Sequence, residues 1–116
     1  MNTQDVVDAY LTCALWSSYD DQGEPLDASD AELSDQARAQ ATSECQDFLD
    51  LAREVIDESK LDAGQVGHDL WLTRNSHGTG FWDRGLGDIG KVLSRLAKAF
   101  GSCDAYIGDD GQIYFS

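Results

Sequence analysis

With 116 residues, 41% of them hydrophobic and 26% charged, and a net charge of −14, the chain has the composition of a folded acidic domain rather than of a disordered segment, and its length suits one core rather than two. No apolar run reaches the roughly 18 residues that span a bilayer, and the polar, acidic Met1–Asp8 stretch lacks the basic-then-apolar order of a secretory leader, so a cytoplasmic protein without a membrane role is expected. Residues 1–62 hold 16 of the 22 acids against Arg38, Arg53 and Lys60, a net −13, while residues 63–116 come to −1; an acidic half repels phosphate, which argues against direct binding of DNA or RNA.

Asn2 or Thr3 can cap a first helix, in which Val6, Val7, Tyr10, Leu11, Ala14 and Leu15 recur at helical spacing up to about Tyr19. The cluster Asp20-Asp21-Gln22-Gly23-Glu24-Pro25 then breaks the chain. Its acids lack the alternating spacing of an EF-hand loop, so calcium is not expected there. Ser29-x-x-Glu32 has the form of a capping box, and Leu33, Ala37, Ala41, Cys45, Phe48, Ala52, Val55 and Ile56 predict a long amphipathic helix from about Asp30 to Ser59. At 100° per residue, Asp47, Asp50, Glu54, Asp57 and Glu58 fall opposite Phe48, Ala52 and Val55, forming an acidic stripe.

Val66–Thr73 reads as a strand, Arg74–Gly80 as a loop and Phe81–Asp83 as a short further strand. Helical period returns from Leu86 to Phe100, with Asp88 near the start, Lys91, Arg95 and Lys98 beyond it and Gly101 as the stop. Cys103–Ile107 and Gln112–Phe115 predict a closing hairpin, in which Asp110-Gly111 would supply two positive-φ turn positions. The expected fold class is α+β in a single domain: a small, mostly antiparallel sheet of three to four strands packed against about three helices.

The densest chemistry lies between Arg74 and Gly87. Arg74, Asn75, His77, Asp83 and Arg84 offer donors, acceptors and a group that titrates near neutrality, Gly78 and Gly80 permit close approach, and Trp82 adds an aromatic surface. These residues form a candidate binding loop. The structural alternative has Asp83 pairing with Arg74 or Arg84, His77 bonding a tight turn, and Phe81 and Trp82 anchoring the loop in the core. Gly85-x-Gly87-x-x-Gly90 spells a dinucleotide fingerprint but lacks the parallel βαβ context, and Asp88 would oppose a pyrophosphate. His77 with Asp83 has the chemistry of a base and its orienting carboxylate, yet no nucleophile is assigned beside them, so no catalytic residue is named. His68 and His77 lack the spacing of a metal pair, Cys13, Cys45 and Cys103 lack a C-x-x-C pair, and neither a metal nor a cofactor is expected.

The tract His68–Gly85, containing Thr73-Arg-Asn-Ser-His-Gly-Thr-Gly-Phe-Trp-Asp-Arg-Gly85, together with Tyr106–Tyr114, resembles a family of small acidic proteins of tailed phages and prophages. The likeness extends to Leu15–Ser18 and Asp20–Asp27, and Ser76 stands where relatives are expected to carry glycine, which should stiffen the loop. The resemblance implies a phage protein acting in the bacterial cytoplasm outside the virion, and it implies no reaction. Joined to the acidic half, it suggests an accessory protein that binds a basic surface of a host protein, in host takeover or anti-defence, with partial nucleic-acid mimicry as a minority form. The alternative is a small-ligand protein or enzyme working through residues 74–87.

Overall fold

The computed structural model of the protein describes residues 1–76 and 80–116. Helix α1 (Thr3–Ser17) is capped by Asn2, whose side chain accepts the Gln4 and Asp5 amides. A 3-10 turn at Leu26–Ala28 follows, and then come α2 (Asp35–Ser59), α3 (Ala63–Arg74), a second 3-10 turn at Phe81–Asp83, α4 (Asp88–Lys98), and the strands β1 (Ala105–Ile107) and β2 (Ile113–Phe115). The described residues thus form a four-helix assembly with one two-stranded antiparallel hairpin.

This overturns the expected sheet of three to four strands on about three helices. The difference lies in residues 63–74. Val66, Leu70, Trp71, Leu72, Thr73 and Arg74 are all buried, and only the first turns, at Ala63, Gly64, Gln65 and His68, reach solvent, so little of a 3.6-residue alternation is printed on the sequence. Asp62 starts it by accepting the Gln65 amide at 2.8 Å. Phe81–Asp83 is likewise a helical turn and not a strand, closed by Asp83 N–H to the Gly80 carbonyl at 3.1 Å.

One boundary and one turn also differ. The cap of α2 is Ser34, which accepts the Ala37 amide at 3.0 Å, rather than Ser29. Residues 32–34 are held extended because they pair with β2: Ile113 N–H donates to the Glu32 carbonyl at 2.8 Å and Ser34 N–H to the Ile113 carbonyl at 2.9 Å. In the hairpin only Gly111 has positive φ, at 81°. The Gly111 amide returns to the Gly108 carbonyl at 3.0 Å, so the loop is a type I turn followed by a left-handed glycine rather than a two-residue primed turn.

Helices α1 and α3 form the tightest layer. A Cβ on Gly67 would lie 2.2 Å from the Val6 carbonyl oxygen, an approach that only glycine permits. Around it Tyr10 meets Trp71 edge-on with ring centroids 5.3 Å apart, Trp71 meets Phe115 at 5.6 Å, and Phe48 stacks on Phe81 at 5.6 Å. These contacts join α1, α3 and the hairpin on one side and α2 with the second 3-10 turn on the other, and Leu93 and Ala97 bring α4 into the same core.

Among the described residues no helix is long and apolar enough to cross a membrane.

Candidate functional site

The candidate loop begins at the end of α3, and its first two polar residues hold the fold together. Arg74 is 5% exposed. Its Nε donates to the Gly101 carbonyl at 2.8 Å and its Nη2 to the Phe100 carbonyl at 3.1 Å, closing the end of α4. Its Nη1 donates to the Tyr10 hydroxyl at 3.0 Å and pairs with the Glu44 carboxylate, while the guanidinium lies over the Phe100 ring, 5.7 Å from the centroid. Burial works against the charge, but Tyr10 and Glu44 outweigh it and hold the guanidinium above its ordinary pKa. Asn75 donates to the Trp71 carbonyl at 3.0 Å and accepts the Cys103 amide at 2.7 Å, joining α3 to the segment that leads into β1.

Gly80 sits where a Cβ would fall 2.0 Å from the Thr73 hydroxyl, and that same hydroxyl accepts the Phe81 amide at 3.1 Å. Phe81 is buried, whereas Trp82 is 56% exposed and Asp83 stands in solvent. His77 and Gly78 lie outside the described residues. Of the two expected Asp83 pairings neither is made: Arg74 goes to Glu44, and Arg84 goes to Asp69.

The Arg84–Asp69 contact is bidentate, Nε to Oδ2 at 3.0 Å and Nη2 to Oδ1 at 2.8 Å. Asp69 is fully buried and also accepts from Gln65 Nε2 at 2.9 Å, with His68 Nδ1 at 3.2 Å from Oδ1. Hydrogen bonding to Asp69 raises the pKa of Arg84. The His68 ring stacks on the exposed Trp16 at 5.9 Å. Sequence reading missed Asp69 because a carboxylate inside an apparent strand carries no local sign of a partner fifteen residues on.

Ser76 adopts φ +57°, the left-handed region that an L side chain enters at a cost. Ser76→Gly is therefore expected to leave stability unchanged or raise it by up to ~1 kcal/mol, since relief of strain is partly offset by the freer unfolded chain. Ser76→Val is expected to lower it by about 1–2 kcal/mol, because a β-branched residue fits this region worst. Thermal melting of the pair checks the difference.

The second candidate region is the outer face of α2, on which Asp47, Asp50, Glu54, Asp57 and Glu58 are all exposed. Arg53 approaches Asp50 at 3.7 Å with both side chains more than half exposed, so it neutralises the face only weakly. Leu51 stands among these acids, 63% exposed, and shares with Asp47, Asp50, Ala99 and Phe100 an open cleft of about 440 Å³. Elsewhere, burial pushes the Cys13 and Cys45 thiols up to about 12 and raises that of Cys103, which keeps all three protonated and unreactive at neutral pH. Among the described residues no group of three or more His, Cys, Asp or Glu side chains is placed to hold a metal ion.

Comparison with protein-family models, with curated proteins and with solved structures finds no match for this chain.

Proposed function

We propose that the protein is a binding module that engages a basic surface of a partner protein through the outer face of α2, acting in a bacterial cytoplasm as the phage resemblance suggests. The observation that carries the reading is the row of exposed carboxylates at Asp47, Asp50, Glu54 and Asp57 along one side of the exposed Leu51, with Asp47 and Asp50 lining its cleft. Carboxylates of one sign steer and orient a basic partner, and an apolar anchor seated beside Leu51 and Phe100 supplies the short-range affinity that steering lacks. A DNA-like role fits less well. Helix α2 has seven acids and two bases over 25 residues, or one net charge per ~7 Å of axis, against one per ~1.7 Å for a duplex. The catalytic alternative loses support at Arg74 and Asn75, whose polar atoms are spent on carbonyls, an amide, Tyr10 and Glu44.

The test is affinity capture from bacterial lysate at low and high salt, comparing the native chain with Asp50→Lys/Glu54→Lys/Asp57→Lys. All three sites are exposed, so circular dichroism should be unchanged. A partner retained at low salt, released by high salt and depleted at least about tenfold by the triple variant is the expected result. A partner that stays on the triple variant but leaves Asp83→Ala would place recognition on the loop and sink the α2 reading.

A further inference from the structure

Among the described residues, strand β1 has one satisfied edge and one open edge. Asp104 N–H donates to the Ser116 carbonyl at 2.9 Å and Ser116 N–H returns to Asp104 at 3.0 Å, while Gly108 N–H reaches the Gln112 carbonyl at 2.7 Å. With Tyr106 opposite Tyr114 in the register, the even-numbered residues 104, 106 and 108 face β2. The odd-numbered residues 103, 105 and 107 therefore turn their amides and carbonyls away from it. The Cys103 amide is taken up by Asn75 Oδ1, but among the described residues the main chains of Ala105 and Ile107 have no hydrogen-bond partner on that side. The far edge of β2 is different. There Glu32 and Ser34 pair with Ile113, and the Gln36 side-chain amide donates to the Phe115 carbonyl at 3.3 Å.

The open edge faces a trough. One cleft of about 370 Å³ lies between Ser17–Tyr19 and Ser102–Ala105, with Trp71 and Asn75 as its floor. A second, of about 230 Å³, continues it between Tyr19–Gln22 and Tyr106–Ile107. The two share Tyr19, which is 62% exposed, and their walls advance in step along the chain. Asn75 lies on the trough floor and bonds the first outward-facing amide, which shows that the row of odd-numbered groups looks into the trough. Six residues of wall measure about 20 Å, the length of an ordinary strand.

We propose that this trough receives an extended, basic segment of a partner protein as a third strand hydrogen-bonded to Ala105 and Ile107. Main-chain bonding gives such a segment its register, and alternate side chains pack on Tyr19, Tyr106 and Ile107. Charge selects the sequence: Asp20, Asp21 and Asp104 line the trough, Asp109 and Asp110 stand at its hairpin end, and none of the residues lining these clefts is a lysine or arginine. The same acids oppose a second copy of this chain, whose β1 would bring Asp104, Asp109 and Asp110 against their counterparts. The trough is separate from the α2 face and does not depend on it.

The probe is a peptide of about ten residues alternating lysine and valine, titrated into the ¹⁵N-labelled full chain, with an alternating glutamate–valine peptide as control. Shifts centred on Tyr19, Asp104, Ala105 and Ile107, with exchange of the Ala105 and Ile107 amides slowed at least about tenfold, are expected from the lysine peptide alone. Asp21→Lys/Asp104→Lys should weaken it by about tenfold or more, and Ile107→Pro, which removes an amide that the ladder does not use, should abolish its protection of Ala105 while leaving the native spectrum elsewhere. No binding at millimolar peptide, equal binding of the glutamate peptide, or shifts centred on Asp47–Asp57 instead would each overturn the proposal. So would a concentration-dependent dimer in sedimentation that protects the same amides without peptide, which would assign the edge to a second copy.

Discussion

Arg74→Met is expected to lower the stability of the domain by about 3–5 kcal/mol, read as a fall in the urea midpoint with an unchanged m-value. Methionine fills much of the same volume, so the loss reports chemistry more than cavity. It strands the Tyr10 hydroxyl in the core and leaves the half-buried Glu44 carboxylate and the part-buried bonds to the Phe100 and Gly101 carbonyls without their donor. Arg74→Lys retains the charge but cannot reach both carbonyls and both side chains with one ammonium group, and about half the loss is expected to remain. Arg74→Met/Glu44→Leu should recover part of it, because removing both members of a buried pair avoids an orphaned charge. A loss below ~1 kcal/mol for Arg74→Met would mean that water replaces the guanidinium without cost, and the hub would lose its standing as the keystone of the helices.

Gly67→Ala sets two effects of opposite sign against each other. Alanine in a helix interior gains ~1 kcal/mol over glycine. The added Cβ, however, meets the Val6 carbonyl oxygen at 2.2 Å and the Tyr10 nitrogen at 2.8 Å, which are main-chain atoms of a packed helix and cannot swing aside. Moving α1 from α3 disturbs the Tyr10–Trp71 contact and the Trp71 Nε1 bond to the Ser17 hydroxyl, 2.9 Å long. A net loss of about 2–4 kcal/mol is expected. Gly64→Ala is the control: its nearest neighbour is Asp62 Oδ1 at an ordinary 3.5 Å, so stability should stay level or rise by up to ~1 kcal/mol. Equal midpoints for the two variants would show that the helices separate freely.

What the sequence made legible follows from which elements keep a wet face. Helices α1, α2 and α4 alternate buried and exposed positions and were readable from Val6 and Tyr10, from Phe48 and Ala52, and from Leu93 and Ala97. Val66–Thr73, the part of α3 that is buried nearly all round, reads as a strand from its valine, leucines and tryptophan, although Asp62-x-x-Gln65 carries a start signal that outweighs composition. Ser29-x-x-Glu32 carried the same kind of signal and was overruled by the pairing of residues 32–34 with Ile113, eighty positions away. The loop chemistry was visible but its meaning was not. Tyr10, Glu44 and the end of α4 lie 26 to 64 residues from Arg74, and no local spacing encodes such partners. The acidic stripe on α2 was the simplest to read, because solvent exposure on an amphipathic helix follows from angle alone.

A single guanidinium on α3 gathers groups from α1, α2 and the end of α4, and this bears on how a polyanion stays folded. Self-repulsion among the acids of the first 62 residues works against their compaction. The nearly neutral remainder of the chain contributes, among the described residues, a buried cation that reaches both long N-terminal helices. Excess charge at the surface and a cationic rivet at the centre are thus two sides of the same design.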